Sequence, residues 1–198
     1  MKLLIAIPTR DQMPFQFVES LTKLIRGLDG IDFDVEFKGG TLVYVGRDKL
    51  AQKAITGGYS HILWLDSDMV FTEDLFDDLY DNGKDIITGI AHSRREPFPS
   101  CVFSEIYPGV CRFEGKYPSE PFKIAGCGMA CCLMKVDVLK AIWERHNTCF
   151  FPTASLGEDL AFCQRATEGG WEIWADPHVR VGHVGQVVIY PEERLYHA

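Results

Sequence analysis

The sequence lacks an apolar run long enough to cross a membrane. Its longest runs, at residues 3–7 and 129–134, are far shorter than the roughly 20 apolar residues that a bilayer-spanning helix needs. The N-terminal run ends at Pro8 and is also too short for the apolar part of a secretory signal, about 7 to 15 residues. These absences predict a protein without a transmembrane segment that is located in the cytoplasm.

The sequence also has little basic charge and no paired cysteine motif. It contains 20 Lys and Arg residues against 28 Asp and Glu residues, a net charge of −8, and the basic residues are scattered. Because duplex nucleic acid is bound by a basic surface, this balance argues against duplex nucleic acid as a partner. Cys127, Cys131, Cys132 and Cys149 lie in apolar stretches without the spacing of a zinc site, so we expect reduced core cysteines.

What the sequence does contain is enough apolar material, 46% of its 198 residues, for the core of one domain. Periodicity predicts helices that open at Asp11 and Pro14, over 47–55, and after a cap at Thr72. The predicted buried face of the first helix comprises Phe15, Val18, Leu21, Ile25 and Leu28. Short apolar runs predict strands at residues 3–7, 33–37, 61–65 and 85–90. The alternation predicts an α/β fold with a mostly parallel, Rossmann-like central sheet flanked by helices.

Residues 91–122 break this alternation, because prolines accumulate there among aromatics without helix or strand periodicity. Long stretches of this kind are commonly functional, so we expect a loop or a small hairpin subdomain over the site. Regular patterns then return, with a strand over 129–136, a helix capped by Asp137, a helix over 158–168 and a strand over 171–175 that ends in a turn at Asp176-Pro177.

The first motif with chemical potential is Asp66-Ser67-Asp68, which directly follows the apolar run at 61–65. In an open α/β sheet, ligands bind beyond the carboxyl ends of the strands, so these carboxylates are expected at a substrate site. One of them can hold a divalent cation while the other fixes a hydroxyl. The alternative is that both aspartates only cap the turn into the next helix.

Two further motifs lie later in the chain. Glu158 and Asp159 follow Gly157 at the start of a predicted helix, whose dipole stabilises carboxylates and lowers their pKa. An ionised carboxylate in a cleft can take a proton from a hydroxyl, although capping of the helix alone explains both residues. His183 lies between two glycines after the last predicted strand, and imidazole is a common metal ligand.

The order of these motifs resembles that of nucleotide-sugar glycosyltransferases with the GT-A fold, above all family 2 enzymes. The resemblance covers nearly the whole chain and implies one domain over 1–198, with a nucleotide-binding half at 1–90 and an acceptor and catalytic half at 91–198. The motifs that carry it are Ile7-Pro8-Thr9-Arg10, the helix near Arg47, Asp66-Ser67-Asp68, the Gly126-x-Gly128 strand, Gly157-Glu158-Asp159 with Phe162, and His183.

The resemblance implies a role for each candidate residue. Asp68 and His183 would ligate Mn²⁺ or Mg²⁺, and Asp66 would contact the ribose, the ion or its bound water. Asp159, or else Glu158, would take the proton of the acceptor if the enzyme inverts configuration. The implied nucleotide contacts are Pro8, Thr9, Arg10, Arg47, Asp66, Ser67 and Asp68.

The activity that the resemblance implies is metal-dependent transfer of a sugar, expected to be a hexosyl group, to a hydroxyl of an unidentified acceptor. The expected donor is a nucleotide diphosphate sugar, with uridine as the expected nucleoside. Two alternatives remain open. A phosphatase of the haloacid dehalogenase type also places Asp-x-Asp after an apolar strand, and a non-catalytic nucleotide-sugar binding module would keep the fold without turnover.

Overall fold

The computed structural model describes residues 1–10, 12–185 and 188–189. Asp11, at the predicted start of the first helix, lies outside the described residues. The elements of the first part of the chain are β1 (Lys2–Pro8), α1 (Phe15–Gly27), β2 (Asp32–Lys38), α2 (Val43–Thr56), β3 (His61–Leu65), β4 (Met69–Val70), α3 (Leu75–Tyr80) and β5 (Ile86–Ile90).

The elements of the second part are shorter at first and then become regular. They are β6 (Val102–Glu105), β7 (Cys111–Arg112), β8 (Phe122–Ile124), β9 (Gly126–Cys127), β10 (Cys131–Lys135), α4 (Val136–His146), α5 (Glu158–Glu168), β11 (Ile173–Arg180), β12 (Gly182–Val184) and β13 (Val188–Ile189). No helix among the described residues has the length and apolar character needed to span a bilayer.

The centre of the fold is a seven-stranded sheet with the order β2-β1-β3-β10-β5-β11-β8. Five strands, β2, β1, β3, β5 and β11, run in one direction, while β10 and β8 run antiparallel to their neighbours. Helices α2, α4 and α5 pack on one face, and α1 and α3 pack on the other. The predicted single α/β domain with a mostly parallel, helix-flanked sheet is therefore confirmed.

Strand β1 shows why the apolar runs are continuous. Leu4 and Ala6 point into the core under α2, whereas Leu3, Ile5 and Ile7 point into the core under α1. All five side chains are fully buried. A strand that is covered on both faces reads as an unbroken hydrophobic run, and it is this pattern that identifies the centre of the sheet from sequence.

The aperiodic segment 91–122 contains the expected small hairpin. Strands β6 and β7 form it, and β6 also pairs with β9 to complete a three-stranded sheet. The aromatic rings of Phe113, Tyr117 and Phe122 pack against one another and against Val102 in a small satellite core. The prolines and aromatics of this segment therefore build a compact subdomain without long strands.

The predicted buried face of α1 is partly wrong. The helix buries Phe17, Ser20, Leu21 and Leu24, whereas Phe15 is 73% exposed. Both stripes have helical spacing, so periodicity alone does not separate them. The true stripe includes a polar residue, since the Ser20 hydroxyl accepts a hydrogen bond from the buried backbone N–H of Phe71.

Several predicted boundaries also differ from the structure, including the start of α2, which is Val43 rather than Arg47. Helix α3 begins at Leu75 after Asp74 rather than after Thr72, and α4 begins before Asp137. Asp176-Pro177 is not a turn but part of β11, where the pairing with β5 shifts register. The Asp176 carboxylate accepts hydrogen bonds from the His178 backbone N–H and from the Asn82 side chain, which holds this bulge in place.

Candidate active site

A cleft of about 1090 Å³ opens at the carboxyl ends of β1 and β3. It contains most of the residues that the sequence proposes as nucleotide or metal contacts. Those predicted residues in its lining are Pro8, Thr9, Arg10, Asp66, Ser67, Asp68 and His183. The sheet topology brings them together because β1 and β3 are parallel neighbours and end at the same edge.

His183 reaches this edge through a small second ladder. Strand β4 leaves the Asp66-Ser67-Asp68 turn and pairs antiparallel with β12, so that His183 lies opposite Met69. The backbone N–H of Val184 also donates to the Asp68 carbonyl at 2.8 Å. Two motifs far apart in sequence thereby become neighbours, with 3.3 Å between His183 Nε2 and Asp68 Oδ2.

The orientation of the His183 ring is set by its other nitrogen. Nδ1 lies 3.0 Å from the His92 carbonyl oxygen, and since a carbonyl only accepts, Nδ1 carries the proton. A histidine whose second N–H donates to a carbonyl is typical of metal ligands, because the bond fixes the tautomer that leaves Nε2 free to coordinate. Asp68 and His183 therefore fit a divalent cation as two of its ligands.

The remaining ligands of such a cation are not supplied by this chain as far as the structure describes it. Within residues 1–10, 12–185 and 188–189, no group of three or more His, Cys, Asp or Glu side chains is arranged to hold a metal ion. Small, hard divalent cations are often held by one or two protein groups together with substrate phosphates and water. The Asp68–His183 pair matches that kind of partial site.

The two groups of this pair shift one another's pKa. Burial opposes ionisation of Asp68, but the hydrogen bond and charge of His183, together with Arg94, outweigh it and lower the Asp68 pKa. Burial likewise lowers the pKa of His183, yet Asp68 and the His92 carbonyl outweigh it and raise the pKa. Both shifts favour a negative carboxylate beside a positive imidazole, so a metal ion that binds His183 Nε2 would displace a proton from it.

Arg94 is a member of the site that the sequence did not reveal. Its guanidinium Nη1 lies 2.5 Å from Asp68 Oδ2, the same oxygen that faces His183. Arg94 and its neighbour Arg95 line the cleft together with Arg10 and Lys38. The available signal was a pair of adjacent arginines shortly after the end of a core strand, in a segment that has no periodicity.

Arg47, predicted to support the nucleotide, lies instead beneath the cleft. Its side chain is 2% exposed, and Nη2 donates to Asp66 Oδ1 at 2.8 Å. Nε lies 3.6 Å from Asp159 Oδ1, too far for a hydrogen bond. The guanidinium therefore has no open path to a ligand in the cleft, and it links the end of β3 to the start of α5 as a shared counter-ion.

Asp159 and Glu158 occupy the first turn of α5, after Gly157 at the N-cap. Neither is among the described residues that line the large cleft. Burial, with smaller contributions from Glu158 and Asp66, outweighs Arg47 and raises the pKa of Asp159 to about 7. The expectation that the helix dipole lowers this pKa is wrong, because loss of water around the carboxylate is the larger effect.

Gly128 leaves space beside this carboxylate. A Cβ atom at Gly128 would lie 3.7 Å from Asp159 Oδ2 and 3.6 Å from Cys101 Cβ. The Asp159 side chain keeps 29% of its surface exposed, although its Oδ1 atom, which faces Arg47, is buried. One carboxylate oxygen of Asp159 thus faces Arg47 in the core, and the other lies beside Gly128.

The geometry of the sheet and the cleft identifies the fold class of this protein. The sheet and the cleft at its edge are those of a mixed α/β domain compatible with the Rossmann-like GT-A fold. No protein-family model matches the chain, and neither does any curated protein.

Solved structures agree with this fold. The protein A197 from STIV has a TM-score of 0.68 at 16% identity, over 97% of this chain and 95% of its own. GalNAc-T7, a GT-A glycosyltransferase solved with UDP, GalNAc and Mn²⁺, has a TM-score of 0.59 at 10% identity. That match covers 93% of this chain, which spans only 44% of the GalNAc-T7 chain. The chain is therefore distantly similar in structure to a glycosyltransferase, and the likeness concerns the fold.

Proposed function

We propose that this protein is a metal-dependent glycosyltransferase that moves a sugar, expected to be a hexosyl group, from a nucleotide diphosphate sugar to a hydroxyl of an acceptor. The observation that carries the proposal is the Asp68–His183 pair, held at 3.3 Å in a cleft with a basic rim at the carboxyl edge of a GT-A-like sheet. A uridine nucleotide is the expected donor, and the UDP and Mn²⁺ bound by the fold neighbour GalNAc-T7 support that choice.

The cleft suits such a donor in size and charge. Small-molecule sites commonly measure about 300–1,000 Å³, so a volume of about 1090 Å³ accommodates a nucleotide with its sugar. Arg10, Lys38 and Arg95 place positive charge around it, which favours a diphosphate. On this proposal residues 1–90 supply the nucleotide wall, and His183 and Arg94 reach the same cleft from the second half of the chain.

Asp68 and His183 would hold Mn²⁺ or Mg²⁺ in this site. A bound divalent cation stabilises the negative charge that grows on the diphosphate as it leaves the sugar. Asp66 lies next to these ligands, and its carboxylate accepts a hydrogen bond from the buried Arg47 guanidinium, which fixes its position from the core side. Burial and the neighbouring Asp68 raise the pKa of Asp66 more than Arg47 lowers it.

Asp159 is the candidate base of an inverting reaction. The acceptor oxygen forms a bond to the anomeric carbon while the bond from that carbon to the diphosphate oxygen breaks. The acceptor proton then passes to the Asp159 carboxylate. A pKa of about 7 is suited to this task, because a base works best when its pKa is near the working pH. Glu158, one residue earlier, is the second choice.

The test uses Asp68→Asn, which keeps the size of the side chain and removes its charge. Isothermal calorimetry should show UDP binding to the wild type only with Mn²⁺, and no metal-dependent binding to the variant. Asp77→Asn is the matched control, because Asp77 is exposed on α3, outside the lining of the cleft, and should leave binding unchanged. Unchanged UDP affinity in Asp68→Asn contradicts the metal role.

Turnover assays separate the remaining alternatives. Transfer or hydrolysis of a UDP-sugar supports the proposal. Release of phosphate from a phosphate monoester, with no binding of UDP, points to a phosphatase, and metal-dependent UDP binding without any turnover points to a binding module.

A further inference from the structure

We infer that Arg94 competes with the divalent cation for Asp68 and gives up that carboxylate when a diphosphate enters the cleft. The inference rests on the proposed function and deepens it, because it makes binding of donor and cation interdependent. It assigns Arg94 two successive partners, the Asp68 carboxylate and the diphosphate of the donor.

The competition follows from the atoms that meet at Asp68. Arg94 Nη1 lies 2.5 Å from Asp68 Oδ2, and His183 Nε2 lies 3.3 Å from the same oxygen. A cation held by Asp68 and His183 would therefore bind at the oxygen to which the guanidinium donates. Two positive charges at one carboxylate oxygen repel each other strongly in a partly buried site, so each weakens the binding of the other.

The Arg94 side chain can change its position while its backbone stays in place. The backbone on either side is anchored, since the Ser93 N–H donates to the Pro99 carbonyl and the Phe98 N–H donates to the Arg95 carbonyl. The Arg94 side chain itself is 44% exposed, and its other hydrogen bond within the described part of the chain is a long one of 3.5 Å to the Val184 carbonyl. The guanidinium can leave Asp68 without disturbing the segment that bears it.

A new partner for the guanidinium lies within the same cleft. Arg94 lines it beside Arg95, and a diphosphate held there offers oxygens that a guanidinium binds with two parallel hydrogen bonds. Once Arg94 turns to the diphosphate, Asp68 Oδ2 is free for the cation. Each ligand then strengthens the binding of the other, and such coupling is reciprocal, commonly about 5- to 150-fold.

The experiment compares Arg94→Ala with Arg95→Ala, a matched control that removes the same charge from the cleft but not from Asp68. Free Mn²⁺ is followed by electron paramagnetic resonance, with and without UDP. In Arg94→Ala we expect Mn²⁺ alone to bind about 10-fold tighter, and UDP to bind about 10-fold more weakly at saturating Mn²⁺. In Arg95→Ala only the UDP affinity should fall.

Arg94→Ala is expected to strengthen Mn²⁺ binding and to weaken UDP binding, and these opposite changes make the result decisive. Unchanged or weaker Mn²⁺ binding in Arg94→Ala overturns the inference, and so does an equal gain in Arg95→Ala, which would show a general charge effect. If the wild type still binds UDP in a metal-dependent way in those cases, the proposed function stands. Absence of UDP binding by the wild type at every Mn²⁺ concentration overturns both.

Discussion

Arg47→Met tests whether the buried guanidinium is the counter-ion that holds Asp66 and Asp159 together. Methionine keeps an unbranched apolar side chain in the core and removes the charge. Loss of one partner from a buried ion pair costs about 3–5 kcal/mol when the other charge stays buried. Here the two carboxylates keep 33% and 29% of their side-chain surface exposed, so water compensates part of that loss.

The hydrogen bonds of Arg47 also indicate a cost of unfolding free energy below the value for a fully buried ion pair. Arg47 makes one hydrogen bond to Asp66, while its Nε and Nη1 atoms have no hydrogen-bond partner in the described part of the chain. We therefore expect a loss of about 2–3 kcal/mol in the free energy of unfolding at pH 8. For a chain of this size that corresponds to a fall in Tm of about 5–10 °C.

The effect should depend on pH in a defined direction. The pKa of Asp159 is raised to about 7 from its ordinary value, so the stability gained by protonating it is present at low pH and lost as the pH rises through 7. Removal of Arg47 takes away a cation that lowers this pKa and moves it higher still. The cost of Arg47→Met should therefore be larger at pH 8 than at pH 5.5.

Urea denaturation at both pH values measures the difference. Arg165→Met is the matched control, because the Arg165 guanidinium donates to the backbone carbonyls of Cys149 and Phe151, and we expect a cost that changes little with pH. Adding Asp159→Asn to Arg47→Met should restore part of the lost stability at pH 8. An equal cost of Arg47→Met at pH 5.5 and 8, or no rescue by the second change, refutes the counter-ion role.

Two further predictions concern catalysis and packing. Asp159→Asn should leave UDP and Mn²⁺ binding nearly intact and lower the rate of transfer by about 10²-fold or more. Turnover by the wild type should rise with pH through about 7. A product with retained configuration contradicts the base assignment. Gly89→Ala should destabilise by about 1–3 kcal/mol in a thermal melt, because the new Cβ would lie 2.7 Å from Val179 Cγ1. Gly109→Ala, with no atom within 4 Å of its new Cβ, is the control and should melt like the wild type.

The fold was predictable from sequence because its central strands are covered on both faces. Continuous apolar runs marked β1, β3 and β5 within a residue or two of their bounds. The face of α1 was not predictable, since two stripes of equal spacing compete and the buried one includes Ser20. The direction of β10 was equally hidden, because a buried strand has the same sequence pattern whether it runs parallel or antiparallel.

The site was predictable where it depends on strand ends and not where it depends on tertiary contacts. Asp66 and Asp68 follow a core strand, which places them at the sheet edge by topology alone. Arg94 approaches from a segment without periodicity, so nothing in the sequence connects it with Asp68. The burial of Arg47 and the raised pKa of Asp159 arise because side chains from α2, the end of β3 and α5 meet in the core, which a local argument from the helix dipole does not include.

The placement of β10 has a consequence for how the chain is made. Strand β5 pairs with β10 and β11 alone among the described strands of the central sheet, and both follow it in the chain. During synthesis at about 5–20 residues per second, β5 therefore waits for seconds with both edges unpaired, from the release of Ile90 until Cys131 and then Ile173 emerge. Edges of this kind invite association between nascent chains. The strands of the first half can be translated first, but the central sheet is completed only when β10 and β11 of the second half arrive.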